Sequence, residues 1–286
     1  MPELKIEIPE LKISNPKLEL KDRTVVSKHI AFVVGIVNAN HDSFFKKSRG
    51  GFSLAKKLID EGADILDIGA ESTRPGASYI SEKDELKALI PLIKKIRKYS
   101  DIPISIDTRK KNVIEQCIAA GADILNDISA LEDDAQMADF AAKAQIPVIL
   151  MHKRNEPKMM QLNTKYDNIV DEVSEYLFSR AAFAEKCGID KNKIILDPGI
   201  GFAKDLEGNC RLVKECRRFC EKGYPVMMAL SRKSFLGQLT GRKTQDRLSA
   251  TLCANIYSVL NGMSYLRVHD VKETSDCLKV LEGILK

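Results

Sequence analysis

Asp107, Asn126 and Asp197 each follow directly on a short apolar run, and Arg267 and His269 stand at the end of another. Carboxylates and carboxamides at such places can read the edge of a flat nitrogen heterocycle. A carboxylate opposite an amino-imine edge makes two parallel hydrogen bonds, and an asparagine offers one donor and one acceptor. Guanidinium forks match phosphate oxygens. Any one Asp or Asn here, taken alone, reads better as a helix cap or turn residue. Taken together, they describe a pocket for a flat ring with an anionic tail, and a pterin presents that pattern.

Further groups complete such a pocket. Thr73-Arg74-Pro75-Gly76, with Arg267 and His269, reads as an anion clamp. The competing reading is an inter-loop salt bridge to Glu71 or Asp270. In Ser231-Arg232-Lys233-Ser234-Phe235, Lys233 can reach a carbonyl and a ring nitrogen, while Ser234 at a helix start suits a carboxylate. Asn38 can bring an oxygen to Mg²⁺, an ion that takes few protein ligands when phosphate oxygens are at hand. Met151 and His152 end another apolar run, where His152 is as readily a satisfied wall residue as a participant.

These groups need a scaffold that brings distant stretches together. Short apolar strands are expected at Phe32–Val37, Ile65–Ile68, Ile104–Ile106, Ile124–Leu125, Val148–Leu150, Ile194–Leu196, Val226–Ala229 and Tyr265–Val268. They are rich in Ile, Val and Leu, as parallel strands covered on both faces should be. Helices are expected between them at Phe52–Glu61, Glu82–Lys98, Lys110–Ala120, Asp134–Lys143, Asn168–Cys187, Asn209–Lys222, Gln245–Asn261 and Lys272–Leu285. The alternation predicts an α/β fold, a (β/α)8 TIM barrel over residues 31–286, with the polar groups at the strand ends forming its active face. An open doubly wound sheet is the rival, but it would gather its ligand groups at one switch point. Gly-Ala-Asp-Ile-Leu occurs at both 62–66 and 121–125, through an internal repeat or two similar helix-to-strand turns. Residues 1–30 form an N-terminal extension, in which Leu4–Ile8 and Leu18–Leu20 alternate like a hairpin at the barrel bottom.

The 286 residues are 44% hydrophobic and 30% charged, an ordinary globular balance, and the net charge of +5 falls in no basic stripe with interleaved aromatics. Nucleic acid and membrane are therefore not expected partners, and small molecules are. Seven cysteines without a Cys-x-x-Cys pair suit reduced thiols rather than a disulfide framework or zinc knuckle. The start of the chain lacks a signal-like pattern, so a cytoplasmic location is expected.

The ordered motifs Glu71–Gly76, Ile106-Asp107-Thr108, Asn126-Asp127-Ile128, Asp197–Phe202, Ser231–Phe235 and Arg267–Val271 resemble those of the dihydropteroate synthase family, over roughly residues 31–286. The resemblance implies condensation of 6-hydroxymethyl-7,8-dihydropterin diphosphate with 4-aminobenzoate, a Mg²⁺ cofactor and a homodimer. It implies that Asp107, Asn126, Asp197 and Lys233 hold the pterin. Thr73, Arg74, Arg267 and His269 would meet the diphosphate, Asn38 the metal, and Ser234 the aminobenzoate carboxylate. Asp42, Met151 and Phe202 would add substrate contacts, and the catalytic groups implied are Arg74, Lys233, Arg267 and His269. One departure touches the second substrate: the family's first loop usually reads Asn-x-Thr-Pro-Asp-Ser-Phe, and here Asn40-His41 replace Thr-Pro. That change suggests one alternative, a non-catalytic pterin-binding paralogue; a second, a pterin-dependent methyltransferase on the same barrel, shares pterin recognition but would have no use for the anion clamp.

Overall fold

Strands that read as nearly unbroken apolar runs need cover on both faces, and a closed parallel sheet ringed by helices supplies it. The computed structural model describes residues 14–39, 50–71, 80–154 and 164–286. Its main sheet holds β3 (Phe32–Asn38), β4 (Ile65–Gly69), β5 (Ile104–Asp107), β6 (Ile124–Asp127), β7 (Val148–Met151), β8 (Ile194–Asp197), β9 (Met227–Met228) and β10 (Tyr265–Val268). All are parallel, in the order β8-β7-β6-β5-β4-β3-β10-β9. A parallel bridge between Leu196 and Val226 joins the two ends and closes the barrel. The fold is the (β/α)8 barrel that the alternation predicts. Among the described residues no helix is long and apolar enough to cross a membrane.

The surrounding helices are α1 (Gly51–Asp60), α2 (Glu82–Arg97), α3 (Lys111–Ala119), α4 (Met137–Ala144), α5 (Ile169–Lys186), α6 (Leu206–Lys214), α7 (Ser234–Thr240), α8 (Leu248–Leu260) and α9 (Val271–Leu285). α2 shows why its segment is helical. Ser81 caps its start, Glu82, Asp84 and Glu85 fill the first turn, and Lys94, Lys95 and Arg97 fill the last, all favourable to the helix dipole. The helix expected at Asn209–Lys222 divides instead. Asp205 accepts from Gly208 N at 2.8 Å and starts α6 earlier, and Cys216–Cys220 then tighten into a 3-10 turn. Three residues per turn bring Cys216 and Phe219 onto one side, and both are fully buried.

The repeated Gly-Ala-Asp-Ile-Leu proves to be one turn used twice. Gly62 and Gly121 both sit at positive φ, 101° and 111°, after α1 and α3. The aspartates that follow accept a backbone N–H from the neighbouring strand's first residues, Val33 to Asp64 at 2.9 Å and Ile104 to Asp123 at 2.8 Å.

Among its described residues the extension forms a hairpin. β1 (Lys17–Glu19) pairs antiparallel with β2 (Thr24–Val26), Leu18 opposite Val25, while Leu4–Ile8 lie outside the described residues. The intervening turn is short, with Leu20 N donating to Arg23 O at 2.8 Å. Leu18 and Leu20 are buried against Phe32, Val34, Ile65, Ile124, Ile149 and Tyr265, at the N-terminal ends of the barrel strands. That end is a sealed apolar core. The opposite end is where polar side chains gather.

Candidate active site

Every second residue of a barrel strand points inward, so the strand ends decide what lines the mouth. Around that mouth the sheet register sets Asn38 beside Gly69, Gly69 beside Asp107, Asp107 beside Asn126, and Met151 beside Asp197. Arg267, near the end of β10, reaches across the mouth. Its Nη2 lies 3.2 Å from Asp107 Oδ2, and its Nε donates to Asp67 Oδ2 at 2.7 Å. Asn126 Nδ2 donates to the same Asp67 at 3.2 Å. Residues that are 200 positions apart in the chain thus share one hydrogen-bonded floor.

Asp67 was missed in the sequence because its strand reads as an apolar run. The signal was present: an acid in the middle of Ile65-Leu66-Asp67-Ile68 is a buried charge that must find a partner.

The far wall is built by the turn after β8. Gly199 N donates to Asp197 Oδ1 at 2.7 Å, which orients the carboxylate and leaves its other oxygen for the mouth. Lys233 Nζ donates to the Ile200 carbonyl, and it lies 4.6 Å from the centre of the Phe202 ring. Beneath this turn lies a second residue that the sequence did not single out. Lys204 is buried and donates to Gly199 O at 3.0 Å and Phe202 O at 2.8 Å, with His152 Nδ1 at 3.0 Å. Burial and the nearby Lys233 charge push its pKa well below the usual lysine value. His152 is a wall residue. Burial, then Lys204 and Arg154, lower its pKa to about 2, and its ring meets Tyr176 edge-on at 5.0 Å.

Charge in the mouth is finely poised. Burial and then the Asp67 charge raise the Asp107 pKa to about 7, against the pull of Arg267. Burial raises Asp197 as well, opposed by Lys233 and the Gly199 N–H. Burial lowers Lys233 to about 8, with Asp197 acting in the other direction. Burial also disfavours the Arg267 cation, but Asp67 and Asp107 outweigh it and raise its pKa. His269 Nδ1 lies 2.9 Å from Ser231 Oγ, and burial followed by Arg267, Arg232 and Lys233 lowers it to about 3. At neutral pH His269 is thus a polar group without charge in this structure.

Arg267 forms neither of the alternative salt bridges, and Arg74 lies outside the described residues. Glu71 pairs with Arg109 at 3.0 Å and Lys110 at 2.7 Å. Asp270 takes Arg232 Nε and Nη2, each at 2.8 Å. Arg267 is left to Asp67 and Asp107. Asp127 spends its carboxylate on its own loop, accepting from Ser129 N at 2.8 Å and Leu131 N at 2.9 Å. Ser234 opens α7 with an exposed side chain, one residue after Lys233. Asp42, Thr73 and Arg74 lie outside the described residues.

Among the described residues no group of three or more His, Cys, Asp or Glu forms a metal cage. Asn38 ends β3 at the mouth with a neutral carboxamide. One such oxygen fits a hard cation that keeps most of its shell for water and phosphate, as Mg²⁺ does.

The comparisons with known proteins agree with this geometry. The family described as pterin binding enzyme matches residues 34–269. The dihydropteroate synthase of Escherichia coli (strain K12) is 39% identical over 261 residues, 88% of this chain and 91% of that one. A solved Xanthomonas albilineans dihydropteroate synthase with 4-aminobenzoic acid superposes with a TM-score of 0.87 at 37% identity, covering 95% of this chain and 99% of that one. The same organism's enzyme in complex with 7,8-dihydropteroate gives a TM-score of 0.83 at 35% identity, covering 94% and 98%. With ring-reading groups and an arginine on one barrel face and this similarity over nearly its whole length, the chain belongs to the pterin-binding enzymes and, among them, to the dihydropteroate synthases.

Proposed function

We propose that this protein joins 4-aminobenzoate to 6-hydroxymethyl-7,8-dihydropterin diphosphate, forming 7,8-dihydropteroate and releasing diphosphate on the route to folate. The observation that carries the reading is the meeting of Asp107, Asn126, Asp197, Lys233 and Arg267 at one barrel mouth. Purified protein with both substrates and Mg²⁺ is expected to release diphosphate only when 4-aminobenzoate is present. Binding without release would point to a non-catalytic paralogue, and release independent of 4-aminobenzoate would refute the condensation.

The chemistry sets what each residue must do. The bond that breaks joins the pterin methylene to the diphosphate oxygen, and the electron pair leaves with the diphosphate. The bond that forms comes from an arylamine that is neutral at pH 7, so no strong base and no covalent nucleophile are required. Cys117 and Cys216, whose pKa values burial pushes to about 12, are inert at neutral pH. Asp197 and Asp107 accept from the N–H groups on the ring edge, Asn126 reads a neighbouring atom, and Lys233 donates to a carbonyl or ring nitrogen. Arg267 supplies charge near the methylene and the departing diphosphate, with His269 as a neutral donor and Thr73 and Arg74 completing the clamp. Met151 and Phe202 form apolar walls, while Ser234 takes the aminobenzoate carboxylate and Asp42 borders that pocket. Mg²⁺, when bound with the diphosphate, neutralises the charge that builds on the leaving group, and Asn38 is the protein oxygen we assign to it.

Two expected results follow from the mouth's charges. The Asp197→Asn variant must keep its oxygen on the Gly199 N–H, which turns its amide donor toward the ring edge where an acceptor is needed. Calorimetry should show pterin binding weakened by about 1–3 kcal/mol, and an unchanged affinity would remove Asp197 from the ring edge. The second result is a bell-shaped pH dependence. Ring recognition uses ionised Asp107 and protonated Lys233, so affinity should rise as pH passes about 7 and fall as it passes about 8. A profile that stays flat between them and beyond would count against both assignments.

A homodimer is also part of this reading, and α8 supports it. That helix buries Thr251, Asn255 and Ser258, while Leu252 and Ile256 stay half-exposed and Tyr257 is 40% exposed. Ile256 and Val259 pack on its own barrel, while Leu252 and Tyr257 leave apolar surface outward, which suits a second copy of the chain. Sedimentation equilibrium should give twice the mass of one chain, and Leu252→Glu should shift the population toward monomer. A wild-type monomer at micromolar concentration would dismiss the idea. Seven unpaired thiols suit the reducing cytoplasm, the compartment we assign.

A further inference from the structure

Asp67 lies in the middle of β4, one interior layer below Asp107, with 1% of its surface exposed. The register places Ile36 and Ser105 beside it, so its neighbours along the sheet offer no counter-charge. A carboxylate in such a place is costly unless paired. Both of its partners are residues assigned above to the substrate. Asn126 Nδ2 donates to its two oxygens at 3.2 and 3.3 Å, and Arg267 meets Oδ2 through Nε at 2.7 Å and Nη2 at 2.6 Å.

We propose that Asp67 is a positioning residue for the condensation: it turns the Asn126 carboxamide so that its oxygen faces the pterin, and it holds the Arg267 guanidinium across the floor of the mouth by its Nε–Nη2 edge. The inference rests on the dihydropteroate synthase reading and deepens it. A carboxamide is nearly symmetric in shape, and a half-turn exchanges its oxygen and its NH2. An ionised carboxylate only accepts, so Asp67 keeps Nδ2 pointing down and Oδ1 pointing up. Asn126 is thereby committed to accept from an N–H of the ring. Arg267 is held in the same way. Without Asp67 its one remaining carboxylate contact is Asp107 at 3.2 Å, a longer and less directional hold.

The test is Asp67→Asn, compared with wild type and with Ser105→Ala. The amide brings one acceptor for two donors, and it places an NH2 where an acceptor stood. Its affinity for 6-hydroxymethyl-7,8-dihydropterin, a pterin without the reactive diphosphate, should fall about 10- to 100-fold. The KM for 4-aminobenzoate should move by less than about threefold, because the reading above assigns that substrate to Ser234 and Asp42 rather than to Asp67 or its partners. Ser105→Ala removes a buried hydroxyl without a partner from the same layer and should leave both values at wild type. A third readout separates positioning from mere packing. Asp107 is faced by Asp67 from β4, Arg267 from β10, Glu85 from α2 and Glu71 beyond β4. Removing the Asp67 charge should therefore move the acidic limb of pterin binding to lower pH.

Wild-type pterin affinity in Asp67→Asn would overturn the proposal, as would equal losses for both substrates. A wild-type protein that binds pterin but releases no diphosphate would speak against the enzymatic reading instead. Should Asp67→Asn not fold, Asp67→Ser retains one acceptor for Asn126 and removes the charge opposite Arg267, with the same expectations. The wild type offers an independent measurement. In labelled protein without ligand, one Asn126 side-chain N–H should already be hydrogen-bonded and slow to exchange with solvent, and a freely exchanging carboxamide would overturn the proposal.

Discussion

Arg267→Ala is expected to lower turnover roughly a hundred- to a thousandfold, the usual cost of losing one preorganised group facing a developing charge. The loss should fall on kcat, because the diphosphate is most strongly held as it departs. The same substitution leaves Asp67 and Asp107 without their shared cation. An uncompensated buried charge costs about 3–5 kcal/mol, which protonation of the carboxyls relieves in part. The sign with pH follows. A carboxyl whose folded pKa is raised binds more protons in the folded state than in the unfolded one, so stability falls as pH rises from the ordinary carboxylate range through the folded value. For Asp107 that value is already about 7 with Arg267 present, and the variant should lie higher. Thermal melts of Arg267→Ala should therefore approach wild type near pH 5 and fall well below it at pH 8. Near wild-type turnover with pH-independent melting would refute Arg267 as both clamp and counter-ion.

The second large effect comes from a residue with no side chain. Gly199 sits at φ 66°, and a Cβ built on it would overlap the backbone carbonyl of His152. His152 N is tied to Asp197 O at 3.0 Å across the barrel wall, which limits how far that stretch of backbone can shift. Gly199→Ala combines left-handed strain with a backbone clash, together about 2–4 kcal/mol. The damage should centre on the site. The turn delivers the N–H that orients Asp197 and the carbonyls that hold Lys204, so pterin affinity should fall with melting temperature, the latter on the order of 10 °C. An alanine variant with wild-type melting and affinity would show that the turn can relax, contrary to this packing.

Much of the site was legible because its chemistry sits at strand ends, where a polar residue interrupting an apolar run is conspicuous. Asp107, Asn126, Asp197 and Arg267 were each visible in that way. Lys204 was not, since a lysine in a loop is ordinarily solvated and only packing shows this one beneath the Asp-Pro-Gly turn. His152 stayed ambiguous until the ring met Lys204 and Tyr176. Helix limits shifted wherever a cap or a tighter turn competed with the 3.6-residue pattern, as at Asp205 and Cys216–Cys220.

By its order alone the sequence determined an alternation of buried strands and amphipathic helices, and with it a barrel and the identity of most groups at its mouth. Those are local properties, set by which residues favour burial and at what period. Partnership was decided only by the closed barrel. Whether Arg267 would meet Glu71, Asp270 or Asp67, and whether His152 and His269 would be neutral, depends on side chains from segments far apart in the chain meeting in one low-dielectric space. Pairing energy and burial there are set by distances of a few ångströms, and no linear spacing encodes them.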